Sequence, residues 1–94
     1  MNEDLNAYLR PSVREFALAM EDALRAHDHK PGWKSDPAVE LFLRLEEEVN
    51  ELREELVYER YSTAMQEAAD VANFAMMIFD VLRVGVASGD MENK

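Results

Sequence analysis

Two acidic stretches hold the residues best able to do chemistry. Leu45 to Leu52 reads LEEEVNEL, four glutamates among three apolar residues, and Glu67 to Asp70 reads EAAD. Fifteen residues separate Glu51 from Glu67. Carboxylates are hard oxygen donors that suit Mg²⁺ or Mn²⁺, and Mg²⁺ is usually held by a few carboxylates together with substrate phosphates. On a wheel at about 100° per residue, centred on Leu45, Glu48, Glu55 and Glu51 fall about 60°, 80° and 120° to one side. Glu47 faces almost directly away. Centred on Val71, Glu67 and Asp70 fall about 40° and 100° to one side of the next helix. Each helix thus carries an i, i+3 acid pair at the border of its buried face, where two packed helices can bring four carboxylates into one cleft.

Two readings compete for these acids. Glutamates on helices are commonly solvated, and border positions commonly carry snorkelling charges. Against that, Glu67 and Asp70 belong to a stretch with no Lys or Arg between Ala64 and Leu82. Two like charges about 5 Å apart repel by roughly 3 kcal/mol at an effective dielectric of 20. A cluster of four needs a counter-charge, and a divalent cation supplies one.

The elements that must position these acids are helices; no strand is legible. SVRE at Ser12 to Glu15 has the form of a capping box, followed by apolar positions Val13, Phe16, Ala17, Met20 and Leu24 at helical spacing. That helix should end near His27, before the loop residues Pro31 and Gly32. Asp36 and Pro37 predict the second start, as N-cap and first-turn proline. Leu41, Leu45, Val49, Leu52 and Leu56 then run at spacings of four and three, fading around Tyr58 to Arg60. Ser62 or Thr63, the latter forming a capping box with Gln66, suggests a third start, and Gly85 a stop near Val84. Residues 1–11 and 86–94 read as loose ends of one domain spanning 1–94. The third helix is apolar nearly all round, which predicts burial on every side. One short chain lacks the helices to surround it, so the expected fold is an all-α antiparallel bundle of three main helices per subunit, completed by oligomerisation into a homodimer or homotetramer. A single central helix in a monomer is the alternative.

Composition narrows the function classes. Ten basic against twenty acidic residues give a net charge of −10, a poor balance for nucleic-acid binding. The absence of cysteine excludes disulfides and Cys-based zinc sites. MNEDLN does not resemble a secretory leader. VANFAMMIF falls far short of the roughly 20 apolar residues that span a bilayer. A cytoplasmic location without a membrane partner is expected.

EExxE at Glu47, Glu48 and Glu51, followed by ExxD at Glu67 and Asp70, resembles the signature of the MazG-like all-α nucleoside triphosphate pyrophosphohydrolases. HDHKPGWK and EAADVANFAMMIFD extend the likeness over most of the chain, toward small phage-type members. The resemblance implies hydrolysis of an NTP or dNTP between the α and β phosphates, giving the monophosphate and pyrophosphate. It also implies Mg²⁺, with Mn²⁺ as substitute, on Glu48, Glu51, Glu67 and Asp70. Glu51, or Glu47 in second place, would align the attacking water. Purine deoxynucleotides such as dGTP or dATP are the favoured substrates, and a phage-encoded chain would act in the host cytoplasm.

The loop KPGWK offers further contacts. Lys30 and Lys34 can meet phosphate oxygens, and Trp33 can stack on a base. Equally, Trp33 can pack on the core while the lysines offset local acidity. Asn73 can bind ribose or base, or satisfy a buried backbone group. His27 and His29 lack the spacing of helical metal ligands and read as a solvated helix end, where their charge favours the dipole. No E-x-x-H element for a di-iron site is present. Rival readings of the whole chain are a non-catalytic acidic dimerisation module and a relative acting on another pyrophosphate-linked nucleotide.

Overall fold

The computed structural model describes residues 6–92. After a helical turn at 6–8, the chain forms α1 (Pro11–Ala26), α2 (Ala38–Val57) and α3 (Tyr61–Ser88), with no strand among the described residues. The fold is all-α. Residues 1–5 and 93–94, parts of the two expected loose ends, lie outside the described residues.

The helix ends differ from the capping-box reading. Pro11 opens α1 because its fixed φ suits the first helical position, and this draws Ser12 inside the first turn. Arg10 is the N-cap, without a side-chain cap bond. Pro37 rather than Asp36 caps α2, and the Asp36 carboxylate sits 3.8 Å from Arg44 Nη1. Arg60 occupies the N-cap of α3, so Thr63 is helical and its capping role is not realised. Gly85 does not stop α3. A Cβ at that position would lie 2.5 Å from Met91 Sδ, so the missing side chain makes room for Met91, whose N–H returns to the Gly85 carbonyl at 3.0 Å. The stop is Gly89, in the left-handed region at φ 82°. Residues 86–88, expected as loose chain, complete the last helical turn.

α2 and α3 form an antiparallel hairpin whose turn spans only three residues, Tyr58 to Arg60. Glu59 reverses the chain with φ 57°, unusual for a residue with a side chain. Arg60 locks the turn by a two-point fork on Glu55, at 2.7 and 3.0 Å, while its guanidinium lies 4.9 Å from the Tyr58 ring centre. The fork holds the Glu55 carboxyl below its ordinary pKa. Leu41 of α2 is fully buried, and Ala64 and Ala69 of α3 are buried too. α3 also packs on α1 and is the central element of the chain.

A single subunit does not bury α3 on all sides. Its buried residues are Ala64, Ala69, Asn73, Asp80 and Gly85, whereas Met65 and Phe79 are 74% and 66% exposed. At 28 residues, with an apolar window of mean hydropathy 1.5, α3 also meets the length and composition of a bilayer span. The short apolar run read from the sequence understated this. Glu67 and Asp70 belong to an acid cluster and Asp80 is ion-paired, which fits a helix packed against protein.

Candidate metal centre and adjoining cleft

Three carboxylates from two helices meet at one point. Glu48 of α2 and Glu67 and Asp70 of α3 each place an oxygen so that all three atoms lie within 4.8 Å of one another. The hairpin makes this meeting possible, since Glu48 and Asp70 stand eleven positions either side of Glu59. Glu51, one turn further along α2, is more exposed, and its carboxylate helps to raise the pKa of both Glu48 and Glu67. Glu47 is exposed and outside this group, as its place on the wheel suggests.

Among the described residues no Lys or Arg is ion-paired with the cluster. Glu48 Oε2 and Glu67 Oε2 are shielded from solvent and face no donor among the described residues. The hydrogen bonds open to them use a proton shared among the carboxyls. Burial raises the pKa of Glu48 to about 8, and its hydrogen bonds to Glu51 and Glu67 add to the rise. Burial also raises Glu67, against the hydrogen bond from Glu48, which lowers it. Asp70 is raised by burial, while the nearby His27 works the other way. Such a group of oxygens takes up either a proton or a cation. Its all-oxygen donor set matches the preference of Mg²⁺ or Mn²⁺.

A cleft of about 540 Å³ adjoins the cluster, with Glu48 and Asp70 in its wall. That volume is in the range of small-ligand sites, roughly 300–1,000 Å³. The α1–α2 loop contributes Lys30 and Trp33, and α3 contributes Asn73 and Phe74. Asn73 is buried, and its Nδ2 donates to the Met20 carbonyl at 3.0 Å. That bond fixes the amide and leaves Oδ1 buried without a partner. The backbone-satisfying reading of Asn73 is the one observed. It satisfies a backbone carbonyl, and it retains an unused acceptor beside the cleft.

Lys34 is engaged elsewhere. Its ammonium pairs with Asp80 Oδ2, the same oxygen that accepts the Trp33 Nε1–H at 3.0 Å. Trp33 thus both lines the cleft and anchors its loop. Arg44, not considered from the sequence, also lines the cleft, stacked 4.7 Å from the Phe74 ring centre. Its signal was its position one helical turn before Glu48. Asp80 was also passed over, though a lone acid closing the run NFAMMIFD has to find a partner if buried. His27, read as a solvated helix end, borders the same cleft. No family model, curated protein or solved structure matches the chain.

Proposed function

We propose that this chain is a divalent-cation-dependent nucleoside triphosphate pyrophosphohydrolase of the MazG-like type, cleaving an NTP or dNTP between the α and β phosphates. The observation that carries the reading is the convergence of Glu48, Glu67 and Asp70, with two carboxylate oxygens shielded and unpartnered, on the edge of a nucleotide-sized cleft. Glu48, Glu67 and Asp70 would hold Mg²⁺ or Mn²⁺, with Glu51 beside them. Such a cation would supply Lewis acidity toward the phosphate oxygens and a water.

The remaining roles fall to the chain's own side chains. Glu51, the exposed member next to the cluster, orients the attacking water by accepting its proton in a hydrogen bond; Glu47 is the lesser candidate. Lys30 and Arg44 meet phosphate charge, with Arg44 held flat by Phe74. Trp33 and the free Oδ1 of Asn73 face the sugar and base, and purine deoxynucleotides are the preferred substrates. The deciding experiment incubates the pure protein with each of the eight common NTPs and dNTPs plus Mg²⁺ and assays monophosphate and pyrophosphate. Release of inorganic phosphate instead, or no turnover at all, overturns the assignment.

The same reading makes the active form a cytoplasmic homodimer or homotetramer. The chain exposes 7496 Å², whereas a compact monomer of 10.8 kDa exposes about 5,500 Å². Its radius of gyration is 15.2 Å, against about 12 Å for a compact domain of this length. A second copy laid on the open face of α3 removes that excess. Sedimentation at micromolar concentration should give a mass of two or four subunits, and a monomer would refute this part.

A further inference from the structure

The α1–α2 loop reaches the cleft through a latch that the carboxylate cluster does not explain. Asp80 lies ten residues beyond Asp70 on α3, roughly 15 Å along the helix axis. Its side chain is only 8% exposed, and three donors converge on it. Oδ2 accepts the Trp33 Nε1–H at 3.0 Å and pairs with the Lys34 ammonium. Oδ1 lies 2.6 Å from Arg83 Nη2. These partners hold the Asp80 carboxyl well below its ordinary range, at about 2, with the Lys34 bond the largest cause. Asp80 is therefore ionised at every pH at which the protein would work.

The loop needs such an anchor. Its own backbone bonds are short-range, Lys30 N–H to His27 and Asp36 N–H to Trp33. Among the described residues, one other side-chain tie, Asp36 to Arg44, spans a longer 3.8 Å. Yet Asp28, Lys30, Pro31, Gly32, Trp33 and Asp36 all border the cleft. The latch fixes the indole on two sides: its edge is bonded to Asp80, and the Lys34 ammonium stands 5.4 Å from the ring centre. With Nε1–H already used, the indole has no hydrogen-bond donor left for a ligand. What it can still offer is ring surface.

We infer that Asp80 is a positioning residue of the cleft: it latches Trp33 and Lys34 to α3, so that the indole forms a fixed wall recognising a planar heteroaromatic ring by stacking alone. This rests on the reading of the cleft as a nucleotide site. Discrimination by the indole then follows ring size, and discrimination by edge pattern is left to groups such as Asn73.

The test compares wild type with Asp80→Ala and Asp80→Asn, using dGTP as substrate and Mn²⁺ alone as metal probe. Trp33 is the sole tryptophan, so its emission reports the latch directly. In Asp80→Ala the ligand-free emission should move to the red as the indole gains water. KM should rise about tenfold with kcat within about twofold, the pattern of lost uniform binding at the level of one stacking contact. Mn²⁺ affinity should be unchanged. Asp80→Asn, which keeps an acceptor for the indole, should recover part of the emission and KM. Should Asp80→Ala not fold, Asp80→Asn alone decides, with a smaller shift in the same two readouts. Unchanged KM and emission in a folded variant overturn the latch. A lowered melting temperature with neither of them altered assigns Asp80 to stability only and also overturns it. Absence of turnover in wild type refutes the nucleotide reading instead, and a red shift in the variant would still establish the loop anchor by itself.

Discussion

Acids at the two ends of α3 sit in opposite electrostatic settings, Asp80 buried and Glu48 of α2 half-buried. Asp80 is met by an indole N–H, an ammonium and a guanidinium, and its carboxyl is held at about 2. Glu48, against the other end of the helix, meets only further carboxyls and is pushed up to about 8. Similar chemistry thus serves two purposes, decided by the neighbours. A carboxylate surrounded by donors is finished and holds structure. One surrounded by other acids is unfinished and ready for a cation.

Breaking the unfinished end should give the largest effect. Glu67→Gln removes one ligand atom and should cut turnover by more than about 100-fold, beyond the loss expected from an outer-shell partner. Helix content should be retained, and the metal-free variant should melt no lower than wild type because repulsion falls. Full activity in this variant would end the metal assignment.

Metal should sharpen the contrast next. At a hundredfold excess over its dissociation constant, Mg²⁺ or Mn²⁺ adds about 2.7 kcal/mol of stability, a rise in Tm of roughly 10 °C or more for a domain of this size. Chelator should reverse the rise, and Glu67→Gln should reduce it. An acidic dimerisation module without a metal site would show no such response.

The same contrast gives the metal-free protein two pH slopes of opposite sign. Glu48 has an ordinary value of 4.5 and a folded value near 8, so between these the native state holds a proton that the unfolded chain releases. Stability contributed by that proton is complete below about 4.5 and is lost as pH rises toward 8. Asp80, lowered from 3.8 to about 2, contributes stability above about 3.8 that is lost as pH falls toward 2. Thermal melts in chelator should show the upper slope flattened by Glu48→Gln and the lower one by Asp80→Asn.

Trp33→Ala should weaken nucleotide binding by about tenfold, the scale of one lost stacking contact. A fall in melting temperature with unchanged binding would place the indole in the core alone. The smallest effect belongs to Glu47→Gln, exposed and outside the cluster, where activity should stay within about twofold of wild type.

The wheel already separates Glu48 and Glu51 from Glu47, and places Glu67 and Asp70 on one flank, because helical period fixes direction on an isolated helix. It cannot say which flank faces which. That depends on the length of the turn and on Glu59, whose left-handed backbone leaves no composition signal. Helix ends were less legible for a related reason. Ser12 and Thr63 have the right neighbours for caps, but Pro11 and Tyr61 begin their helices earlier. Gly85 looked like a stop because its role is to make room for Met91, where the chain folds back past the real stop at Gly89. Asp80 and Arg44 escaped notice because their partners, Trp33 and Phe74, are distant in sequence.

The Tyr58–Arg60 turn has a consequence for how this chain can vary. Glu48 and Asp70 are equidistant from Glu59, so the reversal acts as a ruler that sets which rungs of the two helices stand opposite. Slipping α3 by one residue would displace its acids by about 1.5 Å along the axis and about 100° around it. A single inserted residue here would therefore disperse the acid cluster while leaving every acid in the chain intact.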